Sequence, residues 1–317
     1  MPLNKLRPWI DQDKLDWSQL SLNRNAIQLL EANQDKINWA KLSFNPNAIH
    51  LLEANQDKIN WANLSFNRNA IHLLEANQDK INWANLSRNK NAIHLLEDNL
   101  DKVDWEEYCR TESNMKILSD HPDKIEWWYL SQNKHAIDLI RNNLDKVDWG
   151  RLSLNPNAID LLQDNLDKVD WVGLAYNHSQ GAIDILEAHP DNIDWFDLSH
   201  NPMAIDLLSR NLDEIDRYHL NINDNATKLL LANPHLIEWE SITRNKNVVD
   251  LLEHYPDKLD SIDYTELSSN KRIFTHDYEQ MKLNTRPLHE DLMQYLFHPI
   301  RIQKHLDAEL DLDDYLP

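Results

Sequence analysis

The sequence predicts an all-α fold, an α-solenoid of about eleven 22-residue two-helix repeats with N- and C-terminal caps. Three observations predict it. A cap-forming Asn or Thr recurs at one position of each repeat, and only three of the 317 residues are Gly, which leaves few left-handed or bulged positions. Tryptophan recurs every 22 residues at eight positions: Trp17, Trp39, Trp61, Trp83, Trp105, Trp127, Trp149 and Trp171. Such periodicity indicates stacked units that share one core.

The repeat is clearest in residues 45–66, NPNAIHLLEANQDKINWANLSF, which residues 67–88 repeat with two changes. After a short insertion the Trp position continues at Trp195, Arg217, Trp239 and Tyr264. These boundaries predict an N-terminal cap over residues 1–22, tandem repeats over 23–266 and a C-terminal capping segment over 267–317. The apolar segment 292–306 is expected to cover the end of the stack, because terminal repeats need a polar outer face.

The first half of each unit predicts a helix. Asn45 precedes Pro46, a residue suited to the first helical position, so Asn45 is expected to be the N-cap that accepts from a first-turn amide. Asn55 is expected to end this helix in a left-handed conformation. The apolar residues between them have the spacing of one helical stripe: Ala48, Ile49, Leu51 and Leu52.

A second, shorter helix is expected to begin at the Trp position. Asn60 is its predicted N-cap, and most other units have Asp or Glu there, which suits a helix N-terminus. Trp61 and Leu64 are three residues apart and share a face, so the row of Trp side chains is expected to belong to the core.

A leucine-rich-repeat-like α/β solenoid is the alternative. One unit fits the pattern LxxLxLxxNxI: Trp149, Leu152, Leu154, Asn157 and Ile159. Other units break it, since the Asn157 position also holds His135 and Met203, and the Leu154 position also holds Arg88 and Arg110. The helical repeat is therefore favoured.

The charge is strongly acidic and uneven. Residues 1–104 contain 12 basic and 13 acidic residues and have a net charge of −1. The rest of the chain contains 20 basic and 40 acidic residues and therefore carries −20 of the total net charge of −21. Such a surface repels phosphate backbones, which disfavours nucleic acid as a partner and an RNA-reading function. One cysteine, Cys109, is expected to be a small buried residue. We expect an intracellular protein without a membrane segment, because no apolar stretch of about 20 residues or signal peptide is found.

The pattern NPNAIHLLEANxDKINWxxLSxNPNAI is similar to a tandem repeat in proteins of the giant DNA viruses of amoebae and algae. The segments IFTHDYEQMK and LFHPIRIQKHLDAELDLDDY resemble the ending of those proteins. The chain departs from the family pattern at Gln34, Gln56 and Gln78, where Pro is frequent. The resemblance implies a helical repeat array located in the host cytoplasm or the virion. It implies no activity, cofactor or catalytic residue.

Candidate metal ligands recur at one position, His50, His72 and His94. No Cys or second His accompanies any of them, so we predict neither a metal nor a cofactor site. We find no nucleophile or phosphate-loop motif and predict no enzymatic activity.

A protein-binding surface is predicted where exposed aromatic and acidic residues coincide. The aromatic residues follow the Trp position: Trp128, Tyr129, Phe196 and Tyr218. A row of acidic residues on the first helices completes the zone: Asp138, Asp160, Asp184 and Asp206. The predicted function is a non-enzymatic scaffold that binds a basic protein partner, as a monomer or weak homo-oligomer. The alternative is a structural or self-associating component of a virus particle.

Overall fold

The protein is described by a computed structural model over residues 3–111, 115–296 and 298, and its repeat region is an all-α solenoid, as predicted. In chain order the α-helices are α1 (Trp17–Leu22), α2 (Ile27–Glu31), α3 (Trp39–Leu42), α4 (Ile49–Ala54), α5 (Trp61–Ser65), α6 (Ile71–Glu75), α7 (Trp83–Ser87), α8 (Ile93–Glu97), α9 (Trp105–Arg110), α10 (Met115–Asp120), α11 (Trp127–Leu130), α12 (Ile137–Arg141), α13 (Trp149–Ser153), α14 (Ile159–Gln163), α15 (Trp171–Ala175), α16 (Gln180–Ala188), α17 (Trp195–Leu198), α18 (Ile205–Ser209), α19 (Arg217–Ile222), α20 (Thr227–Ala232), α21 (Val248–His254), α22 (Tyr264–Ser269) and α23 (Tyr278–Leu296).

Each unit contains a leading helix, a short 3-10 turn in most units, and a helix that starts at the Trp position, here named the Trp helix. The Trp helices are the odd-numbered helices from α1 to α19, and α22; in the unit that contains Trp239 a 3-10 turn takes this place. The 3-10 helices are Gln12–Lys14, Gln34–Lys36, Gln56–Lys58, Gln78–Lys80, Lys90–Ala92, Leu100–Lys102, Pro122–Lys124, Leu166–Lys168, Pro190–Asn192, Leu212–Glu214, Pro234–Leu236, Ile242–Arg244, Pro256–Ser261 and Lys271–Ile273.

The core lies between the leading helices and the Trp helices. In the unit at residues 45–66, Ala48, Leu52 and Leu64 have no exposed surface, and the equivalent residues of most other units are also fully buried. Helices of four to six residues are unstable alone in water, so this shared apolar layer holds them in place.

The two ends of the repeat array pack on each other. Helix α1 contacts α22 on one side and α3 on the other. The side-chain amide nitrogen of Asn23 donates to the carbonyl oxygens of Ser268, at 3.0 Å, and Asn270, at 3.1 Å. Asn45 makes the same pair of hydrogen bonds to the preceding unit, both at 3.1 Å. Residues 9–273 therefore form a closed ring of twelve units, averaging about 30° of rotation each.

This closure corrects the predicted caps. Residues 9–22 were expected to cover the start of the array, but they supply the Trp helix that joins the first unit to the last. Residues 267–273 likewise belong to the ring. The segment 292–306, which was expected to cover the end of the stack, lies mostly outside the described residues. Of this segment the structure describes only residues 292–296 and 298.

The repeated Asn binds differently from a simple helix cap. The Asn45 side-chain oxygen accepts from the Asn47 amide at 3.1 Å, but α4 begins later, at Ile49, with no side-chain cap. The predicted N-cap is therefore wrong in position, because Asn45 sits in a turn from which its amide group reaches two carbonyls of the preceding unit. The predicted left-handed Asn55 is also wrong. Its φ is −136°, and its side-chain amide nitrogen donates to the Leu51 carbonyl oxygen at 2.9 Å.

The N-cap of the Trp helix is as predicted where it is Asn or Asp, whereas Glu126 makes no side-chain cap hydrogen bond at α11. Asn60 accepts from the Asn63 amide at 3.0 Å, and Asp104, Asp148 and Asp216 act alike in their units. A Ser near the end of most Trp helices links neighbouring units, as where Ser43 Oγ accepts from the Asn60 amide at 3.1 Å.

The Trp row is not part of the buried core, which corrects the sequence prediction. Every Trp of the row is only half-buried. In six units a Lys ammonium from the next unit covers the indole face, as Lys58 does at 4.5 Å from the Trp39 ring centre. These Trp side chains therefore form cation–π contacts between neighbouring units at the surface of the solenoid.

The remaining described residues form a separate compact unit, which comprises residues 3–8 with 274–296 and 298. Strand β1 (Asn4–Leu6) pairs antiparallel with β2 (Phe274–His276), with Asn4 opposite His276 and Leu6 opposite Phe274. Helix α23 follows β2. Within the described part of the chain these are the only strands, so the α/β leucine-rich-repeat alternative is wrong.

Candidate interaction surface

The Trp helices form the inner circumference of the ring. Trp helices of neighbouring units approach one another more closely than the leading helices do. In a closed ring the spacing of equivalent elements grows with distance from the centre, so the more closely spaced helices lie inside. Helices α13 and α15 are in close contact near Gly173, where an added methyl group would lie 3.0 Å from the Gly150 carbonyl oxygen.

One row of side chains points from the Trp helices away from the core. Leu64 and Ser65, three and four positions after Trp61, are buried. Residues one and five positions after the Trp lie one turn apart on the opposite side of the helix, toward the ring centre. We name these two positions, in all units, the lumen row.

Three of the four predicted aromatic residues lie in the lumen row and are exposed. Trp128 is 43% exposed, Phe196 56% and Tyr218 42%. Tyr129 is one position further along the helix and is half-buried, with its ring 4.7 Å from that of Trp128. The structure therefore places Trp128, Phe196 and Tyr218 on one inner face of the ring, and Tyr129 beside them.

Arginine residues from neighbouring units hold the aromatic side chains in place. The Arg151 guanidinium lies 3.6 Å from the Trp128 ring centre, and the Arg110 guanidinium lies 4.7 Å from the Tyr129 ring centre. A hydrogen bond to Glu106 raises the pKa of Tyr129. These contacts fix the orientation of aromatic surface that remains open to solvent.

Two tyrosine residues of this surface, Tyr176 and Tyr218, form hydrogen bonds with charged side chains. Tyr176, missed by the sequence reasoning, donates from its hydroxyl to Asp197 at 2.6 Å. That hydrogen bond raises the pKa of Tyr176 to about 12, since an ionised phenol would lie beside a carboxylate. Tyr218 accepts from Arg244 at 2.8 Å. Tyr176 lies five positions after Trp171, so helical spacing alone could have identified it.

A small group of rings surrounds Phe196. The His219 ring is 4.1 Å from that of Phe196, and the His219 Nδ1 lies 2.8 Å from an Asp216 carboxylate oxygen. Burial lowers the pKa of the adjacent His200, and His219 lowers it further. This part of the surface therefore combines a large exposed apolar ring with polar groups at its edge.

A cavity of about 790 Å³ opens beside Tyr218, where a 3-10 turn replaces the Trp helix in the unit that contains Trp239. Its lining includes Trp239 and four carboxylates: Glu238, Glu240, Asp263 and Glu266. Arg244 lies 3.5 Å from Glu266 and is the single cationic residue of the lining. The excess of negative charge beside aromatic rings suits a cationic group.

The predicted acidic row lies on the other ring of helices. Asp138, Asp160, Asp184 and Asp206 are exposed on leading helices, at the outer circumference. Asp160 forms an ion pair with Arg141 that lowers the pKa of Asp160, and Asp184 accepts from Gln180 at 3.0 Å. The single contact zone predicted from the sequence is therefore two surfaces, one inner and one outer.

The repeated His residues are hydrogen-bonded to the preceding unit. His50 Nε2 lies 2.5 Å from Glu31 Oε1, and His72 and His94 make the same contact, both at 2.7 Å. Over residues 3–111, 115–296 and 298, no group of three or more His, Cys, Asp or Glu side chains could hold a metal ion. Cys109 is buried in the Ser row, as expected, where its sulfur accepts from the Glu126 amide at 3.5 Å.

No helix of the described residues has both the length and the apolar content to span a lipid bilayer. No known protein family, curated protein or solved structure matches this chain.

Proposed function

We propose that the ring is a non-enzymatic scaffold that binds a basic segment of a protein partner on its inner face. The observation that carries this proposal is the exposed aromatic arc of the lumen row, formed by Trp128, Phe196 and Tyr218. The buried Leu, Ala, Asn and Ser rows hold the units together without these side chains. Rigid exposed aromatic residues are typical of the energetic centres of protein interfaces.

The charge distribution supports a basic partner. The aromatic arc lies within the part of the chain that carries −20 of the total net charge, and the acidic cavity lies beside Tyr218. Long-range attraction of this kind accelerates encounter with an oppositely charged protein and disfavours acidic competitors.

The expected size of the inner circumference supports a segment rather than a folded domain. Twelve helices packed about 8–10 Å apart give a circumference of roughly 100 Å, or a diameter of about 30 Å between opposite helix axes. Subtracting one helix diameter of about 10–12 Å leaves roughly 20 Å. An extended peptide or a single helix fits this width.

The test is an affinity purification with two matched triple variants. The first replaces Trp128, Phe196 and Tyr218 with Ala. The control replaces Phe44, Phe66 and Ala84 of the same row, in the nearly neutral part of the chain, with Ala, Ala and Ser. We expect the wild-type and control proteins to recover the same basic partner and the first variant to recover at least tenfold less. Equal recovery by a folded first variant contradicts the proposal.

A second candidate function, self-association within a larger particle, is supported by helix α23. Its apolar side chains are unusually exposed, with Leu288 at 75%, and Met281, Leu288, Leu292 and Tyr295 have heptad-like spacing. The sequence resemblance to the giant-virus repeat proteins supports the same candidate.

A further inference from the structure

A repeated cation–π pair joins neighbouring units of the ring. The Lys 19 residues after a Trp places its ammonium over that indole, at 4.5–5.4 Å from the ring centre. The pairs are Lys36 with Trp17, Lys58 with Trp39, Lys80 with Trp61, Lys102 with Trp83, Lys146 with Trp127 and Lys168 with Trp149. Lys14 makes the equivalent contact with Tyr264 across the ring closure, at 5.3 Å. The Trp position is therefore a binding site for a primary ammonium, filled internally six times.

Other units cover the indole with a ring instead. His121 lies 5.8 Å from Trp105, His189 lies 5.3 Å from Trp171, and Tyr255 lies 5.5 Å from Trp239, measured between ring centres. Each of these three side chains comes from the turn that follows the next leading helix.

Trp195 is different. The residue 19 positions later is Glu214, which is exposed at the end of the 3-10 helix Leu212–Glu214. Among the described residues, no cation or aromatic ring lies against the Trp195 ring, although Arg217 occupies the Trp position of the next unit. The backbone of this unit follows the pattern of the others, since Asp194 caps α17 and Ser199 accepts from the Asp216 amide at 3.0 Å.

We propose that Trp195 and Glu214 form a binding site for a lysine side chain of a partner protein. The indole face is the one that accepts Lys internally in six other units. Glu214 stands at the position that holds the Lys in those six units. Its carboxylate can form an ion pair with a lysine side chain of the partner, while the indole accepts the ammonium on its face. Because both residues lie outside the lumen row, the site can be tested independently of the proposed function.

The direct test uses the full chain labelled with 5-fluorotryptophan and observed by ¹⁹F NMR. Trp195→Phe and Trp61→Phe variants assign the two resonances to be compared. An N-acetylated hexalysine amide is the probe, and the same peptide with every side chain acetylated is its control. We expect hexalysine to shift the Trp195 resonance in a saturable manner, with no shift at Trp61 and none with the acetylated peptide. An unmoved Trp195 resonance, or equal shifts at Trp61, overturns the proposal.

A matched pair of surface variants separates the site from general charge attraction. Glu214→Lys places an internal ammonium at the Trp195 face, and Asp213→Lys makes the same charge change at the neighbouring exposed residue. We expect Glu214→Lys to weaken hexalysine binding at least fivefold relative to Asp213→Lys. Equal weakening by the two variants would mean that net charge alone attracts the peptide, and the proposal would be wrong.

Discussion

Asn23 and Ser268 are 245 residues apart in the chain, yet the Asn23 side-chain amide donates to the Ser268 carbonyl at 3.0 Å. The same contact joins Asn45 to Ser21 and Asn67 to Ser43, each 24 residues apart, at 3.1 and 3.0 Å. The ring closure is therefore a repeat interface like any other. A closed array has no terminal unit with an exposed core, which removes the need for capping repeats in this region.

Ring closure makes an energetic prediction about Asn23. Asn23→Ala removes two hydrogen bonds at the closure, and Asn67→Ala removes the equivalent two within the array. Both side chains are buried, and each change removes the side-chain donor to one Ser carbonyl, that of Ser268 or that of Ser43. We expect a loss of about 1–3 kcal/mol in each. Urea unfolding measures both. A loss at Asn67 without a loss at Asn23 would show that the array is open in solution.

The buried thiol of Cys109 is expected to make the protein less stable at alkaline pH. Burial raises the pKa of its thiol from 9.0 to about 11. Between pH 9 and pH 11 the thiol ionises in the unfolded state but stays protonated in the folded state, which favours unfolding. The stability of the folded state is therefore unaffected by this thiol below pH 9 and decreases as the pH rises from 9 to 11. The expected loss is about 2–3 kcal/mol.

The measurement compares wild-type protein with Cys109→Ser at pH 8 and pH 11. Ser at this position matches the Ser row, as in Ser87 and Ser131 of the neighbouring units, and it does not ionise in this range. Tyrosine and lysine residues titrate in both proteins, so only the difference between them reports on Cys109. An unchanged difference between pH 8 and pH 11 would contradict the assignment.

The local structure could be predicted from the sequence because its causes are local. The helical stripe of Leu51 and Leu52, the turn after it and the N-cap Asn60 depend on residues within one unit. The hydrogen bonds of the Asn45 side-chain amide could not be predicted in the same way, because both acceptor carbonyls belong to the preceding unit. Ring closure was missed for a related reason, since it depends on a small rotation per unit summed twelve times.

The candidate surface was predicted in part. Helical spacing identified Trp128, Phe196 and Tyr218 as exposed, but it could not tell that the acidic row lies on the outer circumference, because that needs the packing of the two helices. The sequence does contain an indication that the Trp row lies at the surface. Lys recurs 19 residues after Trp, and in a stack of 22-residue units such a residue lies beside the Trp of the preceding unit.

Lumen-row residues should matter more for binding than for stability. Phe196→Ala removes a side chain that is mainly exposed, so we expect a loss of less than about 1 kcal/mol. Leu198→Ala, two residues away, empties a fully buried position and is expected to lose about 2–5 kcal/mol. Thermal and urea unfolding compare the pair. A large loss from Phe196→Ala would mean that this ring supports the fold rather than a partner.

Self-association through α23 has a direct test. We expect Leu288→Glu and Leu292→Glu together to abolish any concentration-dependent increase in mass seen by light scattering with the wild-type protein, because charges are introduced on the apolar stripe. Gln280→Glu and Gln294→Glu on the same helix form the control, which keeps the stripe. A wild-type mass equal to one chain at all concentrations would eliminate this candidate.

The Lys–Trp pairs make opposite predictions at two units. Lys80→Glu removes the ammonium over Trp61, whereas Glu214→Lys supplies one at Trp195. We expect the first change to destabilise the ring and the second to stabilise it, each by about 0.5–1 kcal/mol. A strongly acidic protein gains some stability from any added cation, so the stability of Glu214→Lys is compared with that of Asp213→Lys by urea unfolding. Only the geometry of the indole face distinguishes the two positions, and an equal gain in both variants would show that Trp195 cannot hold an ammonium in the way Trp61 does.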